Sequence, residues 1–432
     1  MNKGTGPLAN AELCTQCGYC LPVCPTYRVE NNEMHSPRGR VSIVLALQAG
    51  TVTPEEAATA LDHCLLCRAC HNACPAGVRP AKLAMLVRRM APPRPSPMGQ
   101  LLHRITNSAP WTARFSTLLG LYQHSGAQAA VRRLGLLRPL PALARLEALL
   151  PRYRPGASIP PFPSRHTAIP GVLRVGLLSG CMGRLFMPGI APSSGQLLAH
   201  GGREVVPLEG FGCCGAPFRE GGDKKAFLRQ ARRTLDAFLA SGPLQAVVCD
   251  SSVCAVTIKG YGHALADDAT YATPARNFSA QVHTLSQFLA KNPACEAETT
   301  IDPGFGSLAY IDHCQTRFGL GIINEPRFLL ASLPVVCHEL WQGTSSAAEG
   351  CCGAGGDYQL RHPERSQEIR AAQLAALCAT GVDTVVGENP GCLMNIAAGL
   401  EHMGSAVQVR HLAEVLWAAH SLQQPTIHKV HS

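Results

Sequence analysis

Two runs of four cysteines near the start of the sequence constrain its fold more than any other feature. Both have the spacing C-x2-C-x2-C-x3-C-P, and a thiolate loop of this spacing can surround an iron–sulfur cubane. The first run contains Cys14, Cys17, Cys20 and Cys24, and the second contains Cys64, Cys67, Cys70 and Cys74.

The spacing predicts two [4Fe–4S] clusters that exchange their fourth ligands. Three cysteines at x2 intervals can reach three irons from one loop, whereas the proline turns the fourth cysteine toward the other cluster. Structural zinc is the main alternative, but zinc sites use separated cysteine pairs rather than four cysteines in one run. The expected ligand sets are Cys14, Cys17, Cys20 and Cys74 for one cluster, and Cys64, Cys67, Cys70 and Cys24 for the other.

The rest of the composition fits a globular protein in a reducing compartment. The opening MNKGTGPLANAELC lacks the apolar core of a signal peptide, so the clustered cysteines among the 20 are expected to bind metal rather than to form disulfides. No apolar stretch reaches the roughly 18 residues of a membrane span. The net charge of +9 is scattered, which argues against a nucleic-acid partner and gives a mild preference for acidic partners or anionic membranes.

Two helices are predicted between the cysteine runs. Ser36 and Pro37 form a helix start, and Thr53 with Glu56 has the spacing of a capping box. A small ferredoxin would have a short hairpin here, so the arrangement resembles the α-helical ferredoxin domain of respiratory oxidoreductases. The segment 82–90 predicts a closing helix before Pro92 and Pro93.

The middle of the chain carries no candidate ligand. Residues 91–98 (APPRPSPM) predict a linker, 98–150 a helical connector, and the prolines of 155–170 another boundary. The predicted domains are a ferredoxin domain (1–92), a connector with a Pro-rich linker (93–170), and two cysteine-rich domains (171–300 and 301–432).

The second half of the sequence contains an internal repeat. Cys213 and Cys351 are separated by 138 residues, as are Cys254 and Cys392. Apolar, β-branched runs alternate with helical stretches in each half, which predicts α/β units with a mostly parallel sheet and its ligands at strand ends. The repeated cysteines are Cys181, Cys213, Cys214 and Cys254 in one half, and Cys314, Cys351, Cys352 and Cys392 in the other.

These motifs together resemble a known family. GCCGAPF and CCGAGGDY are similar to the duplicated cysteine-rich CCG domain of heterodisulfide reductases and membrane-associated flavoprotein dehydrogenases. With HSPRGRV, CRACHNACPAGVR, SGCMGRLFMPG and NPGC in this order, the chain most resembles the iron–sulfur subunits of glycolate oxidases (glycolate dehydrogenases). The implied fold class is α+β multidomain: an α-helical ferredoxin domain followed by two α/β CCG repeats.

The resemblance implies an electron-transfer subunit without catalytic residues of its own. FAD-containing partner subunits would oxidise glycolate to glyoxylate, and electrons would pass through this chain to a quinone or other acceptor at the cytoplasmic face of the inner membrane. Alternatives are the equivalent subunit for glycerol 3-phosphate or lactate, a heterodisulfide-reductase-like catalytic subunit, or a zinc-stapled scaffold.

The chain departs from the fullest family pattern in both repeats. That pattern ends in C-x2-C, whereas Ser251 and Asn389 stand at the first of these cysteine positions. The four cysteines that remain in each repeat are candidates for a further cluster, for a redox-active thiol set, or for a fold kept for docking.

Several other residues could act as ligands, but each also has a simpler role. The cysteines outside both patterns are expected to pack in the core, and His313 is expected to be a hydrogen-bonded histidine at a strand end. Arg38, Arg40, His63 and His71 lie near the cysteine runs, where tuning of a cluster and a solvated surface are both open readings. The cysteines outside the patterns are Cys249, Cys295, Cys337 and Cys378.

Overall fold

The computed structural model consists of a helical amino-terminal domain, a helical connector and two α/β units. It describes residues 8–91, 101, 104–151, 160–163, 171–293, 302, 304–340 and 350–423. The fold class expected from the sequence is confirmed. Among the described helices, none combines the length and the apolar character needed to cross a bilayer.

The amino-terminal domain packs its helices around a small apolar core that includes Val41, Leu61 and Leu83. The predicted helix starts are confirmed: the Ser36 hydroxyl accepts a hydrogen bond from Gly39 N at 2.9 Å, and Thr53 and Glu56 form a capping box. The helices are α1 (Pro25–Glu30), α2 (Pro37–Gln48), α3 (Pro54–Leu61), α4 (Ala69–Asn72) and α5 (Pro80–Met90), with 3₁₀ turns at Ala9–Leu13 and Glu33–His35.

The connector is helical, as predicted. Arg132 fixes it to the second α/β unit, because its guanidinium pairs with Glu147 inside the connector and with Glu401 beyond it, at 3.0 and 2.7 Å. Most of the Pro-rich stretches at 91–98 and 155–170 lie outside the described residues. The connector helices are α6 (Ala109–His124), α7 (Ala127–Leu134) and α8 (Pro141–Ala148).

Each α/β unit is built on a four-stranded parallel sheet, and the two sheets have equivalent strand orders, β2-β1-β3-β4 and β6-β5-β7-β8. The shared topology confirms the repeat that the cysteine spacing predicts. The strands are β1 (Arg174–Leu178), β2 (Glu204–Pro207), β3 (Ala246–Cys249), β4 (Val282–Thr284), β5 (Leu308–Tyr310), β6 (Cys337–His338), β7 (Thr384–Gly387) and β8 (Gln408–His411).

Helices cover these sheets, as the sequence alternation predicts. The first unit contains α9 (Cys181–Phe186), α10 (Ile190–His200), α11 (Ala216–Glu220), α12 (Lys224–Ala240), α13 (Ser252–Lys259), α14 (Tyr261–Ala264), α15 (Ala272–Gln281) and α16 (Leu285–Lys291). The second contains a π-helix (Gln315–Leu320), α17 (Asn324–Ala331), α18 (Tyr358–Arg361), α19 (Pro363–Thr380), α20 (Pro390–His402) and α21 (Leu412–Gln423).

One hydrophobic cluster spans the boundary between the two units, and each unit has a further cluster of its own. Buried side chains of both sheets, such as Val175 and Val386, belong to the same apolar cluster. The buried Glu388 carboxylate also crosses the boundary and accepts hydrogen bonds from the Ser286 amide and hydroxyl at 2.8 and 2.6 Å. The two repeats therefore pack directly against each other.

Candidate functional site

The second cysteine run and Cys24 of the first run surround one small cavity. Cys24, Cys64, Cys67 and Cys70 all line it, and its empty volume is about 280 Å³. Cys24, Cys64 and Cys70 are buried, whereas Cys67 is partly exposed. The cross-over of Cys24 to the other run is the geometry that exchanged fourth ligands require.

The backbone of each run turns around its middle cysteine in the same way. The residues before and after Cys67, Leu66 and Arg68, have left-handed φ values of 56° and 69°. Gln16 and Gly18 repeat this in the first run, with φ values of 59° and 88°. Left-handed backbone costs a non-glycine residue about 1 kcal/mol. Such strain persists where the surrounding structure holds the loop in place.

A buried guanidinium lies against this cavity. Arg40 is only 3% exposed and donates to the Cys24 thiol at 3.6 Å, to Thr26 Oγ1 at 2.7 Å and to the His63 carbonyl at 3.3 Å. Burial alone would lower the pKa of Arg40, but the nearby thiolates of Cys64 and Cys24 raise it above its usual value. The solvated-surface reading is therefore wrong for Arg40.

Arg38 lies on the same helix and behaves differently. It is close to the surface and pairs with the exposed Glu33 at 2.6 Å. Arg38 also donates to the Gln16 carbonyl of the first cysteine run at 3.2 Å, whereas Arg40 contacts the cavity of the second run.

The first run lies nearer the surface than the second. Cys17 is exposed, and Cys14, Cys20 and Cys74 are partly exposed. Burial raises the pKa of Cys20 to about 11. Cys14 and Cys74 both pack against the apolar core of the amino-terminal domain, so Cys74 of the second run lies on the same core as the first.

The eight cysteines of the repeats line one large cleft between the two α/β units and the amino-terminal domain. The Cys352 and Cys392 sulfurs are 2.7 Å apart. In the first repeat, the thiol of Cys213 neighbours that of Cys181, and the thiol of Cys214 neighbours that of Cys254. The cleft cysteines are Cys181, Cys213, Cys214, Cys254, Cys314, Cys351, Cys352 and Cys392.

The backbone conformation and the close packing explain why each CCG motif has a glycine at its third position. Gly215 and Gly353 have φ values of +82° and +72°, which favour glycine. A Cβ atom would lie 2.9 Å from the Phe227 ring at the first position and 2.3 Å from the Ser366 carbonyl at the second. The tight turn places the paired cysteines in the cleft. It also lets the glycine backbone lie close to the helix that carries Phe227 or Ser366.

The two non-cysteine positions also line the cleft. Ser251 is 5% exposed and Asn389 is 8% exposed. The Asn389 amide donates to the Cys392 sulfur at 3.1 Å. Asn389 therefore places a hydrogen-bond donor where the full pattern has a thiol.

Cys67 joins the two cavities, because it lines both. Burial raises the pKa of Cys67 well above its usual value, and the adjacent thiols of Cys351 and Cys314 raise it further. Gln315 next to Cys314 also donates to the Leu66 carbonyl at 3.4 Å. The second run thus contacts the second repeat directly.

Three stacked histidines lie beside the second run. The ring of His63 is 4.1 Å from that of His35 and 4.8 Å from that of His362. Glu30 contacts His35, and these two with His63 have the donor atoms of a metal site. The Glu30 carboxylate pairs with the Arg365 guanidinium at 2.7 Å, however, so this carboxylate already has a positively charged partner.

The sequence does not decide whether His63 and His71 tune a cluster or lie on a solvated surface. In the structure, both side chains are partly buried against other parts of the protein. Burial lowers the pKa of His63, and likewise that of His71, to about 4. His71 Nε2 accepts the amide of Ala81 at 3.2 Å, which anchors the loop that carries the second run.

The expectation for His313 is wrong. It is 2% exposed, and neither ring nitrogen has a hydrogen-bond partner among the described residues. Burial lowers the pKa of His313 to about 3. The ring packs over Gly387, where a Cβ would lie 2.1 Å from Nε2, so packing rather than hydrogen bonding holds it.

The expectation of core packing holds for only one of the extra cysteines that are described. Cys249 is buried in β3, but Cys337 and Cys378 are exposed, because β6 is an edge strand and Cys378 points outward from α19. Cys295 lies outside the described residues.

Sequence reasoning missed Arg88, which is 2% exposed. Its guanidinium donates to the carbonyls of Leu61 and Cys64 at 2.9 and 2.6 Å, and to that of Glu220 at 3.2 Å. It thereby ties the second cysteine run to the first repeat. The motif LVRRM gave no signal that would distinguish Arg88 from its neighbour Arg89.

Three family descriptions match the chain. A "4Fe-4S dicluster domain" covers residues 10–78, and a "Cysteine-rich domain" covers residues 175–259 and again 309–397. Between them, "Glycolate oxidase iron-sulfur subunit, linker region" covers residues 110–150, which is the helical connector.

Curated relatives are similar over most of the chain. The "Probable glycolate oxidase iron-sulfur subunit" of Bacillus subtilis (strain 168) is 33% identical over 421 residues, or 94% of this chain and 93% of the relative. The "Glycolate oxidase iron-sulfur subunit" of Escherichia coli (strain K12) is 28% identical over 410 residues, or 93% and 92%. "Lactate utilization protein A" of Shouchella clausii (strain KSM-K16) is 27% identical over 251 residues, which cover 56% of this chain and 98% of the relative.

Proposed function

Since the chain belongs to the family of glycolate oxidase iron–sulfur subunits, we propose that it passes electrons from flavin subunits that oxidise glycolate to glyoxylate on to a quinone or other acceptor. The family directly supports the assignment as an iron–sulfur subunit of an oxidoreductase complex. FAD is then expected on the partner subunits and not on this chain.

Our proposal assigns the clusters residue by residue. Cys64, Cys67, Cys70 and Cys24 would hold one [4Fe–4S] cluster, because all four line the same cavity. The buried cysteines Cys24, Cys64 and Cys70 and the adjacent Arg40 fit a negatively charged group there. Cys14, Cys17, Cys20 and Cys74 would hold the other. When bound, such clusters accept and release single electrons.

The exposure of the two runs suggests a direction for the relay. The first run lies at the surface with the exposed side chains of Leu13 and Tyr19 beside it, which suits contact with a partner. The second run is buried and reaches the cleft through Cys67. We propose that the first run faces one redox partner and that the second run leads toward the repeats.

The cleft cysteines are a candidate site for a further cluster. Each repeat brings four thiols to one cleft, but Ser251 and Asn389 remove the fifth thiol of the full pattern. The same absence weighs against a heterodisulfide-reductase-like catalytic role, which would need chemistry at such a cluster.

Lactate is the second candidate substrate of the complex, since proteins named for lactate utilization match 56% of the chain. Glycerol 3-phosphate remains the third. The contacts that choose among these acids are expected in the flavin subunits. The proposed location is the cytoplasmic face of the inner membrane.

The proposal is tested by co-purifying the chain with its flavin subunits in the absence of air and mixing the complex with each acid. Glycolate should bleach the visible absorbance of the iron–sulfur clusters, and Cys64→Ser should reduce the bleaching while flavin reduction continues. Bleaching by lactate alone would assign the chain to a lactate complex. Reduced flavin beside unreduced clusters in the unaltered complex would contradict an electron-transfer role.

A further inference from the structure

The connector carries an unusual share of the exposed apolar surface. Of the 19 large hydrophobic side chains that are exposed among the described residues, eight lie between residues 101 and 148. These side chains are Leu101, Trp111, Leu118, Leu121, Leu134, Leu136, Leu140 and Leu143.

Helix α6 shows that the exposure is organised on one face. Phe115 and Leu119 pack inward against the first repeat, and the Phe115 ring meets that of Phe186 edge to face at 6.0 Å. Trp111, Leu118 and Leu121 lie at helical spacing on the adjoining face, where they are 57%, 66% and 62% exposed. The fold therefore buries part of the apolar surface of α6 and leaves an adjoining apolar stripe exposed.

The connector itself carries a positive charge, although Arg132 pairs with Glu401 and Arg145 with Glu364 of the second repeat. Residues 101–150 contain six arginines and one acidic residue, Glu147, which is already paired with Arg132. Arg114 lies over the Trp111 ring at 5.6 Å from its centroid. Arg133 and Arg138 are exposed in the following turns.

We propose that this connector surface, made of the α6 stripe and the exposed leucines of 134–143, binds the surface of an anionic lipid bilayer. Leucine and tryptophan flanked by arginine are typical of segments that lie in the membrane interface. Protein hot spots instead favour Trp, Tyr and Arg over leucine, and leucine makes up seven of the eight side chains here. The proposal concerns the connector alone and does not depend on which redox reaction the chain serves.

The test uses the full chain with its iron–sulfur clusters and vesicles of phosphatidylglycerol and phosphatidylcholine. The chain should sediment with mixed vesicles and bind less to pure phosphatidylcholine or at high salt. The double variant Leu118→Glu, Leu121→Glu should weaken the partition by about tenfold or more. Leu239→Glu is the matched control, because Leu239 is 54% exposed in a helix of the first repeat.

Iron content and visible absorbance should be unchanged in both variants, which separates loss of binding from loss of folding. A second variant, Arg114→Gln with Arg133→Gln and Arg138→Gln, should remove the preference for anionic vesicles. Failure of the unaltered chain to bind vesicles, or equal binding by the double variant, would overturn the proposal. If the double variant lost the flavin subunits while vesicle binding persisted, the surface would belong to a protein partner instead.

Discussion

At the residue scale, the position of Cys24 is the observation that supports the exchange of fourth ligands between the two clusters. Its thiol lies in the cavity of the other run, so we expect Cys24→Ser to damage the cluster on Cys64, Cys67 and Cys70 more than the cluster of its own run. Paramagnetic resonance of the reduced variant would identify the affected signal. Cys378→Ser, at an exposed cysteine, should leave both signals intact. Loss of the first-run signal alone would contradict the exchange of ligands.

Arg40 and Arg38 provide a test of local charge. Arg40→Met removes a buried positive group from the Cys24 sulfur, so the reduced and more negative cluster should become harder to form. We expect the reduction potential of that cluster to fall by on the order of 50 to 100 mV. Arg38→Met, near the surface on the same helix, should change it little. A redox titration followed by paramagnetic resonance measures both, and equal shifts would exclude a specific role for Arg40.

A spacing rule gives a prediction for single cysteines, whereas no sequence rule predicts which side chains become buried. Cysteine spacing placed Cys24 with the second run because the rule concerns chain geometry alone. By contrast, the predictions for His313 and Cys378 were wrong and Arg40 was left open, since the residue type alone does not reveal which side of a helix or strand will be covered.

At the scale of elements, Arg88 holds helix α5 to the loop of the second run. Arg88→Met would leave the carbonyls of Leu61, Cys64 and Glu220 buried without this donor. The expected loss is about 3 to 5 kcal/mol in the free energy of unfolding. Lys82→Met, at an exposed position of α5, should cost less than about 0.5 kcal/mol. Denaturant unfolding measures both, and similar stabilities would refute a structural role for Arg88.

Helix starts and strand runs were predictable because local chemistry sets them. Ser36 and Thr53 cap their helices as their hydroxyls suggested, and the apolar runs at β1, β3, β5 and β7 became the parallel strands. The tie through Arg88 was not predictable, because it depends on how α5 packs against a domain that begins far along the chain.

At the scale of the molecule, the cysteines of the second run and those of the two repeats line adjoining cavities. Cys67 lines both, and the second run contacts the second repeat through Gln315. The repeat was visible in the cysteine spacing, but the single cleft was not. It arises because the two sheets share one hydrophobic cluster and turn their ligand-bearing ends toward the same space.

The predicted domain boundaries stay predictions, since those near 92 and 300 fall among residues that the structure does not describe. The hydrophobic cluster shared by the repeats suggests that 171–423 behaves as one folding unit. Proteolysis between the amino-terminal domain and the connector would test the first boundary.

Iron and acid-labile sulfide per chain, measured on the protein purified without air, test the central claim most directly. Two clusters on the amino-terminal cysteines predict about eight irons and eight sulfides, and about twelve or more would bring in the cleft cysteines. A preparation that holds zinc in place of iron, or that stays colourless after reconstitution with iron and sulfide, would contradict the account.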